Sequence, residues 1–382
     1  MCPASKPCGP KSPLIREDKG NCEDNGGLPL PVRYCMSAAP TLDTNALALV
    51  DLATSHVRDI LTLAIEHAPP RAALLVADRQ CTLTTIVAEA YRRCLPDATF
   101  IDFDTVTPDD VLAAFAKLVP GDLVVLVQST NFRLEAFRIR VELFKRGLKV
   151  VEHPHLSRMT EAEIPIYIDA LAYDPVYTRG TGLALKACID KAQGGVIDTG
   201  GEQLTLGTGL EPAKLNVGDY RQMKNVGGQF PIGEVFTESL DLEAVHGRLR
   251  IASFGDTAYR VNRPEHPITL IIEKGRVVGT EHSTPEFDLV LDNIRRDEGQ
   301  IWVRELGFGL NRAFTQERRV TDIGTYERMC GIHLSLGCKH TTYDKPQISR
   351  SRAKYHVDVM ALTNTFTLDG QVVYRDGAWQ VP

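Results

Sequence analysis

The stretch AALLVADRQCTLTTIVAEAYRRC, residues 72–94, sets an apolar run of strand length against a helix, and the pairing repeats. AALLVA (72–77) has the length and content of a buried strand, and Thr82–Cys94 reads as a helix. ATFIDF (98–103) is a second strand, and Thr107-Pro108-Asp109-Asp110 opens another helix with a capping residue and Pro in the first turn. DLVVLVQS (122–129) is a third strand, apolar on both faces. A helix from Phe132 to Arg146 follows, ended by Gly147, and then a fourth strand, LKVVEH (148–153). Alternating strands and helices with apolar strands imply a parallel sheet covered on both faces. No G-x-G-x-x-G follows the first strand, so ADRQCTLTT argues against dinucleotide binding.

Upstream, NALALVDLATSHVRDILTLAIEHA (45–68) is a helical pattern introduced by Thr41 and Asp43 and stopped by Pro69-Pro70. Residues 1–40 carry Pro, Gly and charge without sustained periodicity and read as a flexible tail. Downstream, a helical stretch runs from Glu161 to about Ala192, and the texture changes after Gly194. From there short strands alternate with Gly-rich turns. Glu273-Lys274-Gly275-Arg276 and Leu368-Asp369-Gly370-Gln371 are hairpin turns, and one helix, Glu286 to Arg296, interrupts the strands. The expected organisation is a tail (1–40), an α/β domain with a parallel sheet (41–195) and a mostly antiparallel, β-rich, metal-binding domain (196–382).

The chain has 382 residues, 43% hydrophobic and 24% charged, which suits a globular protein of two domains. A net charge of −6 offers no basic field for nucleic acid. No apolar run approaches the ~20 residues that span a bilayer, so no membrane partner is expected. The start, MCPASKPCGPKSPLIREDKG, lacks the apolar core of a secretory signal. Of nine cysteines, Cys2, Cys8, Cys22 and Cys35 lie in the tail at spacings that match no zinc motif. The others read as small buried hydrophobes, and nothing requires an oxidising compartment, so a cytoplasmic location is expected.

Five residues of the β-rich half have metal-ligand chemistry: Glu234 in PIGEVFTE, Glu305 in RELGFGLN, His333 in GIHLSLG, and His356 and Asp358 in YHVDV. Residues two apart on a strand point to one face, so His356 and Asp358 form a two-ligand clip. GIHLSLG reads as a second strand bearing His333, and Gly307 and Gly309 leave room near Glu305. Two imidazoles and three carboxylates suit two divalent ions such as Zn, Mn or Co. A bridging hydroxide would complete the charge balance and act as a hydrolytic nucleophile. Taken singly, each residue also has an ordinary structural reading. A His in an apolar strand can be a hydrogen-bonded core residue, a Glu before Gly a turn residue, and YHVDV a solvated strand face.

The four segments occur in the order seen in the aminopeptidase T / aminopeptidase S family of two-metal exopeptidases, which this sequence resembles from roughly Gly200 to its end. That family has Gly-Glu-Val-Phe/Tyr-Thr, Glu-x-Gly-x-Gly-x-Asn and Gly-x-His-x-x-x-Gly segments and a His-x-Asp pair. The resemblance implies that Glu234, Glu305, His333, His356 and Asp358 hold two metal ions. It also implies that the substrate is a peptide or small amide with a free N-terminus and that the chain forms a homodimer.

The family places a Tyr seven residues after the ligand His, credited with stabilising the tetrahedral intermediate. Here that place is His340, and Tyr343 follows three residues on. Glu305, His340 and Tyr343 are therefore the candidate catalytic residues, His340 as a hydrogen-bond donor to an oxyanion. The same loop, KHTTYDKPQISRSR, reads as polar surface, and its Lys339, Lys345, Arg350 and Arg352 form a basic cluster suited to a substrate carboxylate. Dihydroxypyridine ring-opening dioxygenases share the family fold and keep the His-x-Asp pair with one iron. A mononuclear non-haem iron ring-cleaving enzyme, with Fe as cofactor, is thus the alternative. A third reading is a natural-product pathway protein with altered or lost peptidase activity, motivated by the missing Tyr at position 340 and the Cys-rich tail.

Overall fold

The computed structural model describes residues 42–132, 134 and 139–381; the expected tail and its four cysteines lie outside them. Helix α1 (Thr44–Asp59) opens on Asp43, whose carboxylate accepts from the Ala46 N–H, and continues as a π-helical turn to Ala64. The expected alternation follows: β1 (Ala73–Ala77), α2 (Thr82–Cys94), β2 (Thr99–Asp102), α3 (Pro108–Ala116), β3 (Leu123–Val127), α4 (Ile139–Lys145) and β4 (Lys149–His153). These strands form a parallel sheet in the order β2-β1-β3-β4. Its two faces feed different cores. Leu123, Val125 and Val127 of β3 pack into one cluster, and Val124 and Leu126 into another. Each such side chain contributes roughly 1.5–3 kcal/mol on burial, which is why the central strand is apolar at every position.

The helical stretch expected from Glu161 to about Ala192 contains two helices, α5 (Ile164–Ala170) and α6 (Pro175–Ile189). Asp174 causes the break: its carboxylate caps Val176 and Tyr177, and Pro175 occupies the first turn of α6. Of the helix expected from Phe132 to Arg146, the described part is Ile139–Lys145; residues 133 and 135–138 are not described.

The β-rich part comprises β5 (Gly195–Asp198), β6 (Gln203–Leu206), β7 (Lys214–Asn216), β8 (Gly227–Gln229), β9 (Glu234–Glu238), β10 (Val245–Gly255), β11 (Val261–Asn262), β12 (Ile268–Glu273) and β13 (Arg276–Glu281). After helix α7 (Pro285–Glu298) come β14 (Val303–Gly309), α8 (Ile323–Tyr326), β15 (Gly331–Leu336), β16 (Val357–Ala361), β17 (Thr365–Leu368), β18 (Gln371–Arg375) and β19 (Ala378–Trp379). All these strands except β8 join one antiparallel sheet, which runs from β10 to its edge in the order β10-β16-β15-β14-β9-β7. Both expected hairpins form. Lys274 and Gly275, and Asp369 and Gly370, all have positive φ, as a two-residue turn with the twist of its strands requires.

The antiparallel sheet begins at β5, after α6, and one later strand returns to the parallel sheet. Strand β8 adds to the parallel sheet beside β4, with Gly227 opposite Val150. Five residues after Gln229 the chain is already in the antiparallel sheet, at Glu234. No described helix is long and apolar enough to cross a membrane.

Candidate metal centre

The five expected ligands sit on or beside four adjacent strands, β9, β14, β15 and β16, on one face of the antiparallel sheet. Period-2 alternation produces the arrangement. Leu306 and Phe308, Ile332 and Leu334, and Val357 and Val359 enter the core cluster on one side. The residues between them, Glu305, Gly307, His333 and Asp358, share the other side. The register aligns them: His333 lies opposite Gly307, Ser335 opposite Asp358, and Glu234 opposite Gly309.

Two glycines of the RELGFG segment are required by what lies against them. A Cβ on Gly307 would come within 2.0 Å of the His333 ring, so the imidazole lies across that glycine. A Cβ on Gly309 would come within 1.9 Å of the Met329 carbonyl and 2.6 Å of the Arg328 carbonyl, so the 328–329 backbone rests there. Between Val303 and Leu306 the register with β15 slips by one residue. This bulge sets Arg304 and Glu305 together against the partner strand, and Ser335 Oγ accepts the Glu305 N–H at 3.0 Å.

His333 is the hub. Its Nε2 lies 3.5 Å from Glu234 Oε1 and 3.6 Å from Glu305 Oε1. Glu234, Glu305 and His333 each bring a ligand atom within 4.8 Å of the others, and so do Glu327, His333 and Asp358. His356 Nε2 lies 3.1 Å from Asp358 Oδ1, and its Nδ1 is 3.0 Å from the Lys339 carbonyl. Three buried atoms, Glu234 Oε1, His333 Nε2 and Asp358 Oδ1, make no hydrogen bond of good geometry among the described residues, Asp358 Oδ1 having only the His356 ion pair beside it. A buried polar atom left unpaired costs about 1–3 kcal/mol. Three in one cradle, all of ligand type, fit a bound cation of the zinc or manganese class.

Charge supports that fit. Glu234, Glu238, Glu305, Glu327 and Asp358 supply five carboxylates against the guanidiniums of Arg304 and Arg328, leaving a surplus of three negative charges before any imidazole is protonated. Burial pushes the Glu234 carboxyl above its usual range, with Arg328 opposing. Burial acts the same way on Glu305, but His333, His356 and His340 outweigh it and hold that carboxyl below its usual range. At Asp358 burial is likewise outweighed, chiefly by His356. Burial opposes charge on His333, yet the carboxylates around it raise its pKa. Burial is also overcome at His356, which Asp358 raises to about 10.

His340 is not at the surface. Its Nε2 is 3.0 Å from Glu305 Oε2 and its Nδ1 is 3.3 Å from Glu238 Oε1. The loop that carries it is gripped by Arg304, whose guanidinium pairs with Glu238 and donates to the carbonyls of Cys338, His340 and Tyr343. The Tyr343 hydroxyl donates to the Pro212 carbonyl at 2.8 Å. In the expected basic cluster, Lys345 is buried against the Glu211 carboxylate and the Ser239 carbonyl, and Arg350 pairs with Asp344. A cavity of about 680 Å³ opens beside His340, with Lys339, Thr341, Tyr343 and Ile348 in its lining.

Sequence reasoning missed four charged residues of this site: Glu238, Arg304, Glu327 and Arg328. Glu238 was within reach, since it lies four residues after Glu234 on the same strand and so on the same face. Arg304 depends on the bulge, and Glu327 and Arg328 occupy the turn between α8 and β15, where no periodicity marks them.

No family model and no curated protein matches the chain by sequence. Among solved structures, wild-type AmpT from Thermus thermophilus is similar, with a TM-score of 0.55 at 13% identity over 87% of this chain and 99% of that one. At that identity the likeness is one of fold.

Proposed function

We propose that this chain is a metal-dependent hydrolase of the aminopeptidase type, removing the N-terminal residue of a peptide or cleaving a related amide. One observation carries the reading: Glu234, Glu305, His333 and Asp358 converge on one sheet face, with three buried donor atoms unsatisfied. The shared fold with AmpT and the four motif segments support it.

Glu234, Glu305, His333, His356 and Asp358 would hold the metal. A divalent ion there supplies Lewis acidity, which polarises a carbonyl and makes water a stronger acid. The residues do the rest. Surplus negative charge attracts the α-ammonium of a substrate. Glu305 has one oxygen facing His333 and the other facing His340, so it is held in place. Both His340 nitrogens face carboxylates, which makes it the residue that orients Glu305. Glu234 or Glu305, whichever keeps an oxygen free of the metal, would pass the proton to the leaving amine. The cavity beside His340 gives the substrate room.

The test is a panel of aminoacyl fluorogenic amides and their N-acetyl counterparts, assayed with protein whose metal content is measured. Free-amine substrates should turn over and acetylated ones should not. Glu234→Gln should lower kcat/KM by roughly 100-fold or more, the size of a lost general acid–base group. Full metal occupancy with no hydrolysis of any member would sink the peptidase reading.

A second reading, a mononuclear iron ring-cleaving enzyme, draws on one feature: His333, His356 and Asp358 put two imidazoles and a carboxylate in one cradle. Iron in the purified protein with substrate-dependent oxygen consumption would favour it. The proposal places the enzyme in the cytoplasm, in keeping with free thiols at Cys81, Cys94, Cys188, Cys330 and Cys338. It also includes a homodimer, to be checked by light scattering.

A further inference from the structure

We infer that Arg328 is the second cation of this cradle, so that the chain binds one divalent ion where its donor set would accommodate two. The inference rests on the reading of these side chains as a metal site.

Arg328 is placed by the strand that carries Glu305. Its carbonyl accepts the Asn311 N–H at 2.9 Å, and the glycine at 309 lets this stretch of backbone lie directly on β14. Its side chain is buried. One terminal nitrogen lies 3.8 Å from Glu234 Oε2, and the other donates to the Gly324 carbonyl at 2.5 Å and pairs with Glu327. Nε is buried without a hydrogen-bond partner among the described residues. A guanidinium has no acceptor atom and stays protonated at any pH the fold survives. It cannot become a ligand, and it cannot lose its charge to make room for a metal as a lysine can.

The two groups of ligand atoms are not independent. His333 belongs to both. Once it serves the group with Glu234 and Glu305, the other retains Glu327 and Asp358, with His356 beside Asp358. Arg328 stands against one carboxylate of each group, Glu234 and Glu327. A second divalent ion would have to compete with the guanidinium for Glu327 while standing beside its fixed positive charge.

Chelator-stripped protein, saturated with Zn2+ and then desalted, should hold one ion per chain by elemental analysis. Mn2+-loaded protein should give the electron paramagnetic resonance spectrum of isolated ions without the exchange-coupled signal of a pair. Arg328→Gln should take up a second ion, with a Kd at least roughly tenfold below that for any second ion bound weakly by the unmodified protein. Arg328→Met serves the same purpose if the Gln variant fails to fold by circular dichroism. Two tightly held ions in the unmodified protein would overturn the inference and leave the metal site standing. No ion at all would overturn both. One ion in a folded Arg328 variant would show that the guanidinium is not what excludes the second.

Discussion

A methyl group at position 307 would lie 2.0 Å from both Cε1 and Nε2 of His333. Real carbon contacts do not approach so closely, so Gly307→Ala must displace either the imidazole or the strand. We expect Gly307→Ala to cost about 1–3 kcal/mol, the usual range for overpacking. Its metal affinity should fall at least roughly tenfold, because the ring it moves is the one both ligand groups share. Gly180 is the control. It lies on the exposed face of α6 with nothing within 4 Å of its missing Cβ. There an alanine should stabilise by about 0.5–1 kcal/mol through helix propensity, without touching the site. Urea unfolding and Zn2+ titration of both variants check the contrast. Equal metal affinity in the two would mean that the His333 ring has another position open to it.

At the level of elements, the end of strand β4 carries the clearest pH signature away from the cradle. His153 is buried between two tyrosines, with Nε2 2.8 Å from the Tyr91 hydroxyl and Nδ1 2.8 Å from that of Tyr167. Burial lowers its pKa to about 3. The folded value lies below the unfolded one of about 6.5, so the unfolded chain binds the extra proton first. Stability from this residue is complete above pH 6.5 and is lost as the pH falls toward 3, at up to roughly 1.4 kcal/mol per unit. His153→Gln should flatten the stability–pH curve between 6.5 and 4 by about one proton in urea unfolding. An unchanged slope would rule out a buried neutral imidazole. Elements of this kind were legible when one strand or helix decided them. The apolar runs 72–77 and 122–129 are strands because both their faces are covered, and His333 and Asp358 are placed by simple alternation. The break at Asp174-Pro175 was also written in the chain, as a cap followed by a helix-starting proline. What could not be read depends on a partner far along the chain. The bulge at Arg304 and Glu305 exists only against β15. His340 looked like surface because its loop is polar, and its ring is turned inward because Arg304 gathers three of that loop's carbonyls.

Across the whole molecule, the metal cradle is tied to the parallel sheet by a very short piece of chain. Residues from Ala46 to Met360 share one hydrophobic cluster, with Phe230, Ile232, Tyr326 and Met329 packed beside α1, α2 and α5. Strand β8 is the covalent counterpart of that shared core. It pairs with β4 through Gly227 and Gln229, the Phe230 N–H then donates to the Glu152 carbonyl at 2.9 Å, and Glu234 follows four residues later. Gly227 permits this pairing. Its φ is +102°, and a Cβ there would lie 1.9 Å from the Val150 carbonyl oxygen, a backbone atom with no freedom to move aside. Gly227→Ala should therefore expel β8 from the parallel sheet and slacken the segment that holds Glu234. We expect a stability loss of at least about 3 kcal/mol, in the range of strained backbone sites combined with lost packing. We also expect Zn2+ affinity to fall at least roughly tenfold under conditions where the variant is still folded, although position 227 touches no ligand. Zn2+ titration below the unfolding transition, paired with urea curves followed by fluorescence and by circular dichroism, separates the two effects. A variant that loses stability while binding Zn2+ as before would show that the antiparallel sheet holds Glu234 by itself, and that the parallel sheet contributes only to the common core.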